Sequence, residues 1–446
     1  MADQIQPKVD PNFVNEAGDV ITETMVVTSN DGSQYDVSNF VLQTVLYEDL
    51  FSNTLSGECI ILDAANLITK IPFQGIEYLT FSFRTPSFTE KIEKTFKITA
   101  IKDRGFTSAD REQAYALSFV SLEAAIDNVT NLSKKYSGST DAVVSQIWNE
   151  NLSAVPRILS QPQSRTSVVS LNKRHSSSVS FIATSWNPFK AINWVASRSF
   201  QHMAELAGFM FYESNKAFYF RNVEEVIDTQ TKNNDIFAQY VYFPGANTIQ
   251  NIPKSKTLYT KPELTKQYSI VRNMKPFGQF DILDGQDKGF YAAKLITHDI
   301  ALKTYQEFFF DYYGPYTKEV TPNKNTEAYP QAVFRNPEVN NRIRTKHYKL
   351  HNDMNDPLYE KWMLQRNSLL YELSGVNIEI EVPGRTDIEV GKLVDFLYPK
   401  GVDKLPGAAQ EYNLDPFMSA QYLISAIRHT FSLNKHSMVL ELVRFV

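Results

Sequence analysis

The chain has 446 residues, 50 acidic and 45 basic side chains, and a 43 % hydrophobic content. That length exceeds one ordinary core and sets an expectation of two to four domains. The composition excludes a disordered or membrane chain, and no run approaches the roughly 20 continuous apolar residues that a spanning helix needs.

Charge is unevenly spread. Residues 1–127 carry 19 acids against 9 bases, whereas residues 128–446 carry 31 against 36. An acidic front end disfavours sequence-independent nucleic-acid binding there, since phosphate contacts need a basic surface. No sequence-specific nucleic-acid partner and no stable membrane insertion are expected. Cys59 is the sole cysteine, which excludes an internal disulfide and a cysteine-based zinc site. Folding in a reducing cytoplasm fits.

In chain order, residues 1–20 are polar and acidic, with no apolar core of a secretory signal, and read as a flexible arm. From Ile21 to Asp127 the pattern is β. The runs Met25–Thr28 and Phe40–Leu46 flank an Asn30-Asp31-Gly32 turn. Strands follow at Thr54–Leu62, Gly75–Phe83, Phe96–Lys102 and Ala116–Val120, enough for one small barrel over 21–127. After Asn128 the spacing turns helical at Asp141–Asn149 and again at Asn187–Ser197, where Asn187 and Pro188 form a start signal. Gly208–Glu213 and Lys216–Phe220 read as a hairpin, giving a middle α/β domain over 128–260. Strands resume at Tyr268–Arg272, Gly278–Leu283 before an Asp284-Gly285 turn, Phe290–Ile300 and Thr304–Phe310. Residues 313–375 form an insert that completes the middle domain. It ends in a helix at Leu358–Leu373 with Gly375 as its stop. Residues 261–312 and 376–446 make a second, discontinuous barrel.

The last strands repeat the first. Phe96-Lys-Ile-Thr-Ala-Ile-Lys102 matches Tyr422-Leu-Ile-Ser-Ala-Ile-Arg428. Each follows a glycine-led strand, from Gly75 and Gly391, and precedes a closing apolar strand, Ala116–Val120 and Met438–Val443. The fold class expected is mainly β with an α+β middle: two similar small tube-type β-barrels plus an α/β domain. A chain that carries one barrel half twice is suited to building a ring.

Chemistry is sparse. No Gly-x-Ser-x-Gly, His-Glu-x-x-His, phosphate loop or dinucleotide loop is present. His347 and His351 have i,i+4 spacing but no third ligand by motif, and lie in a polar segment. His351–Asp356 lacks the glycine and closing glutamate of a calcium loop. Glu48-Asp49 and Glu224-Glu225 are adjacent acids, which on a strand face opposite ways. Phe308–Phe310 suits core or interface packing. No catalytic, cofactor-binding or metal residue is assigned, and no cofactor is expected.

The chain resembles the baseplate hub proteins of contractile-tailed bacteriophages, related in fold to the hub part of type VI secretion spike proteins. Four stretches carry the likeness in family order: Tyr47–Leu67 running into Ile71–Glu77 and Phe83–Pro86; Asn187–Arg198 with Phe211–Glu213 and Phe218–Phe220; Lys288–Asp299; and Val382–Lys392 through the terminal strands. The resemblance implies a homotrimer whose six barrels form a pseudo-six-fold ring. That ring would join a three-fold central spike to a six-fold tail tube or tube-initiator protein and leave a channel for DNA. Baseplate wedge and tape measure proteins would be further partners, and the place would be the virion tail baseplate. The resemblance implies a structural role, not an enzyme. The alternatives are a tail-associated peptidoglycan hydrolase with an unrecognised carboxylate site, and the hub of a phage-derived injection or secretion system.

Overall fold

The computed structural model describes residues 16–71, 73–86, 88, 90–107, 112–153, 168–171, 177–201, 206–242, 267–278, 281–299, 303–312, 346–350, 359–373, 376–398 and 414–444. The first part is β1 (Ile21–Thr28), β2 (Gln34–Asp36), β3 (Val41–Asp49), β4 (Ser56–Asp63), a short α1 (Leu67–Lys70), β5 (Tyr78–Arg84), β6 (Lys91–Phe106) and β7 (Gln113–Ser121). The middle holds α2 (Leu122–Val129), β8 (Lys135–Ser139), α3 (Thr140–Ile147) with a π turn at its end, β9 (Val168–Leu171), β10 (Ser178–Ile182), α4 (Pro188–Arg198), β11 (Phe209–Glu213), β12 (Phe218–Asn222) and α5 (Val223–Lys232). Then come β13 (Ala238–Tyr242), β14 (Ile270–Val271), β15 (Asn273–Gly278), α6 (Ile282–Asp287), β16 (Ala292–Asp299), β17 (Thr304–Asp311), β18 (Lys346–Leu350), α7 (Tyr359–Glu372), β19 (Val376–Pro383), β20 (Leu393–Leu397), β21 (Ala420–Ser432) and β22 (Lys435–Arg444).

The chain is mainly β with an α+β middle, but two separate closed barrels are not what the strands form. Fourteen of them share one mixed sheet. The cause is the length of β21. Its start pairs with β20, its far half (Ala426–Ser432) pairs with β3, and β22 lines its opposite edge. One strand therefore belongs to both halves. Within the second half, β14 lies against β13, and the Arg272 amide donates to the Glu381 carbonyl as the chain passes into β15, which lies against β19.

Two cores remain, one per half. The first gathers Val27, Leu46, Cys59, Phe81, Phe96, Leu117 and Phe119; the second gathers Ile380, Val394, Tyr422, Ile424, Leu440 and Leu442. Strict alternation builds them: β22 turns His436, Met438, Leu440 and Leu442 inward. The middle region has its own core, with Trp148, Ile192, Phe211 and Phe218. Helix α4 starts at Pro188 as its sequence suggests, although Asp127 Oδ1, not the Asn187 side chain, accepts the Phe189 amide.

Three local expectations change. Asp284-Gly285 is no turn but lies inside α6, because Asp281 Oδ1 accepts the Leu283 and Asp284 amides and so starts a helix. Strands β16 and β17, expected in the second barrel, pair with β18 in a sheet of their own. The end of the arm is anchored: Ala17 and Val20 are buried, and Lys435 pairs with Glu16 and Asp19. Gly375 lies outside the described residues.

Candidate functional site

The repeat read in the sequence is a repeat in space, and it shares one irregularity. In β6–β7 the register shifts between Ile98 and Ala100; in β21–β22 it shifts between Ile424 and Ala426. The skipped residues are Thr99 and Ser425, the hydroxyl positions of the two motifs. Thr99 Oγ1 donates to the Ser118 carbonyl, and Ser425 Oγ donates to the Glu441 carbonyl, its counterpart. Such a bulge sharpens the local twist, so both hairpins bend at this shared position; β6–β7 has a second shift, between Lys102 and Gly105, that β21–β22 does not repeat. The leading glycines agree as well, with φ of +85° at Gly75 and +82° at Gly391, a conformation that costs a glycine little.

With that correspondence fixed, the edges can be compared. β21 is lined along one edge by β20 and then by β3. β6 is lined along the same edge by β5, as far as the Ile98 amide that reaches the Glu77 carbonyl. Beyond it, residues 99–106 have no strand on that edge among the described residues. Ile427 and Ile101 hold the same motif position, yet Ile427 is 1 % exposed and Ile101 is 36 % exposed. Further along β6, Phe106 is 70 % exposed. The counterpart of β3 is β15, since β3 lies beside β4 and β15 beside β19 in matching register. Glu58 faces Val45 and Ser118, as Glu379 faces Lys275 and Glu441. The outer edge of β15 is likewise unpaired among the described residues. Each molecule thus presents one strand edge and the strand type that fills the same edge internally.

The turn between β11 and β12 holds the two halves in register. Glu213 reaches the first half: its carboxylate accepts from Lys94 Nζ at 2.8 Å, from the Leu55 amide at 2.9 Å and from Ser121 Oγ. The next residues reach the second half. Ser214 Oγ and Tyr219 Oη each donate to Glu389 Oε2 at 3.0 Å, and Asn215 Nδ2 donates to the Ile388 carbonyl. Burial, and secondarily the Glu389 charge, pushes the Tyr219 phenol up to about 12, so it stays a donor. Helix α7 docks through Arg366, whose Nη1 donates to the Ala207 and Phe209 carbonyls. Burial lowers that guanidinium to about 10, against the opposing pull of Glu224.

Among the described residues, the acids and aromatics weighed for chemistry lie in separate places. His347 is on β18 and His351 lies outside the described residues. Glu224 is buried, accepting the Ala207 and Gly208 amides. Glu48 is buried while Asp49 is not, as opposite strand faces require. Phe308 and Phe310 pack beside Trp362 and Ala293. Among the described residues no group of three or more His, Cys, Asp or Glu could hold a metal ion. Sequence reasoning missed one set, Glu48 with His429 and His436. Its signal was two histidines seven apart around a hairpin turn.

No family model and no curated protein sequence matches the chain. Solved structures do. A tail protein from Neisseria meningitidis is similar at a TM-score of 0.51 and 10 % identity, over 94 % of this chain and 96 % of that one. The 43 kDa tail protein of prophage MuSo2 from Shewanella oneidensis is similar at 0.50 and 9 %, over 94 % and 98 %. A type VI secretion component of E. coli, described as similar to bacteriophage T4 tail proteins, gives a TM-score of 0.42 at 8 % identity, over 96 % and 77 %. The fold is that of these two tail proteins, matched over nearly their whole length.

Proposed function

We propose that this chain is the structural hub of a contractile phage tail baseplate. Three copies close a ring of six repeats, so that a three-fold spike meets the ring on one side and a six-fold tail tube or tube initiator on the other. A channel for DNA runs through the middle. Wedge and tape measure proteins are further neighbours, and the work is binding and geometry.

The observation that carries this reading is the mismatch between Ile427, covered by β3 of its own chain, and Ile101, uncovered at the same position. Quasi-equivalence asks that residues 99–106 receive the β15 strand of a second copy, antiparallel, as Ala426–Ser432 receives β3. Two repeats per chain and a three-fold axis then give six like positions. The edge carries the half-open Ile101 and the exposed Phe106, and an unpaired edge of this kind is a template to which a partner strand can add.

The test is native mass and electron microscopy of the purified protein, alone and with its spike. A three-fold ring with six similar lobes around an opening supports the reading. A protein that stays single with the spike present overturns it. Activity on cell-wall material in a zymogram would instead point to a hydrolase.

A further inference from the structure

A chain of three titratable side chains lies across the junction of the two halves: Glu48 on β3, His429 on β21 and His436 on β22. Each is at most 1 % exposed. His429 Nε2 is 3.2 Å from Glu48 Oε1, and His429 Nδ1 is 3.1 Å from His436 Nε2. Because His429 uses its two nitrogens in opposite directions, the three groups cannot converge on one metal ion. They form a line.

The line is unfinished at both ends. Among the described residues neither Glu48 Oε2 nor His436 Nδ1 has a hydrogen-bond partner. The stoichiometry explains why. If His429 donates from Nε2 to the carboxylate and is neutral, it must accept at Nδ1 from His436 Nε2–H, and His436 Nδ1 is left a bare acceptor. That atom can take a proton without breaking a bond of the line, as the bare Glu48 Oε2 can at the other end.

Its surroundings offer such a proton no welcome. The His436 ring stacks on Phe431 at 4.2 Å between centroids. Its surroundings also include Gly384, where a Cβ would lie 2.0 Å from the ring, so that wall is backbone. The charges of neighbouring segments are engaged elsewhere: Arg385 with Asp387, and Lys435 with Glu16 and Asp19. On β3, Thr44 and Leu46 are buried opposite Phe431 and His429, and Phe83 of β5 stacks on Phe431. Burial, and then the neighbouring His429, holds His436 well below its ordinary value.

We propose that Glu48, His429 and His436 form an acid-sensitive latch, and that a proton taken up by His436 opens the β3–β21 junction. The sign follows from linkage. The closed junction disfavours the proton and the open one accepts it near the ordinary histidine value of about 6.5, so closure weakens as pH falls below that value. The device lies within one chain and acts whether or not copies assemble.

The test is hydrogen exchange of wild type and His436→Gln at about pH 7.5 and about pH 5.5, corrected for intrinsic rates. In wild type, the amides of Leu46–Asp49 and Ala426–Ser432 should open more in acid, by up to about tenfold per pH unit below 6.5, while those of β6–β7 hold. His436→Gln should flatten that dependence. Junction amides that track β6–β7 in wild type, or an unchanged slope in the variant, overturn the latch. If the variant does not fold, the wild-type comparison decides alone.

Discussion

The ring of Phe83, on β5, lies against that of Phe431, on β21, with centroids 4.1 Å apart and planes 6° from parallel. Phe431 comes from the second repeat but belongs to the core of the first. Its loss should be felt in both. Phe431→Ala should destabilise the chain by about 3–5 kcal/mol, as a large cavity beside a fixed ring does. A chemical denaturation curve measures this, and a cost below about 1 kcal/mol would mean the two halves hardly depend on the contact.

Ile101 and Ile427 offer a matched pair. Ile101→Asp places a charge on a half-open edge, so the isolated chain should unfold as before while self-association is lost. Ile427→Asp buries the same charge and should prevent folding, since an unpaired buried carboxylate costs several kcal/mol. Light scattering after size exclusion reads the first and circular dichroism the second. Unchanged assembly of Ile101→Asp would count against the edge-to-strand contact.

Lys94 and Glu213 are 10 % and 3 % exposed and 2.8 Å apart. Lys94→Met should cost about 3–5 kcal/mol by leaving a buried carboxylate without its cation. Adding Glu213→Gln should restore part of it, because an amide still accepts from Leu55 while carrying no charge. A double-mutant cycle on unfolding free energies tests this; additive losses would show that the two groups act separately.

Cys59 is fully buried, and burial pushes its thiol up to about 12 from an ordinary 9.0. The reactive thiolate is thus scarce at any working pH. Labelling by a thiol reagent should therefore follow global unfolding and report on the first core. Rapid labelling of the native protein would show that this core opens on its own.

How much of this could be read from the residues follows from where the information sits. The repeat was legible because Phe96–Lys102 and Tyr422–Arg428 keep one pattern of aromatic, aliphatic and hydroxyl positions, and the hydroxyl marks the bulge. Sharing of β21 was not legible. Strand edges are completed by backbone groups, which every residue has, so nothing in Arg428–Ser432 announces a second neighbour. The helix at Ile282–Asp287 was hidden because Asp-Gly reads equally as a turn, and the side chain that decides, Asp281, lies just before it. In the buried line the two histidines are seven residues apart, but Glu48 lies 381 residues from His429, and no local pattern encodes that link.

That β21 serves two sheets also constrains how the molecule is made. While a ribosome emits the chain, β3 appears early and must wait for a neighbour almost four hundred residues downstream. Until Ala426–Ser432 emerges, the early half carries a bare edge and an incomplete core, which invites pairing with other nascent chains. Completion is then late, cooperative and slow, as contacts so distant in sequence dictate.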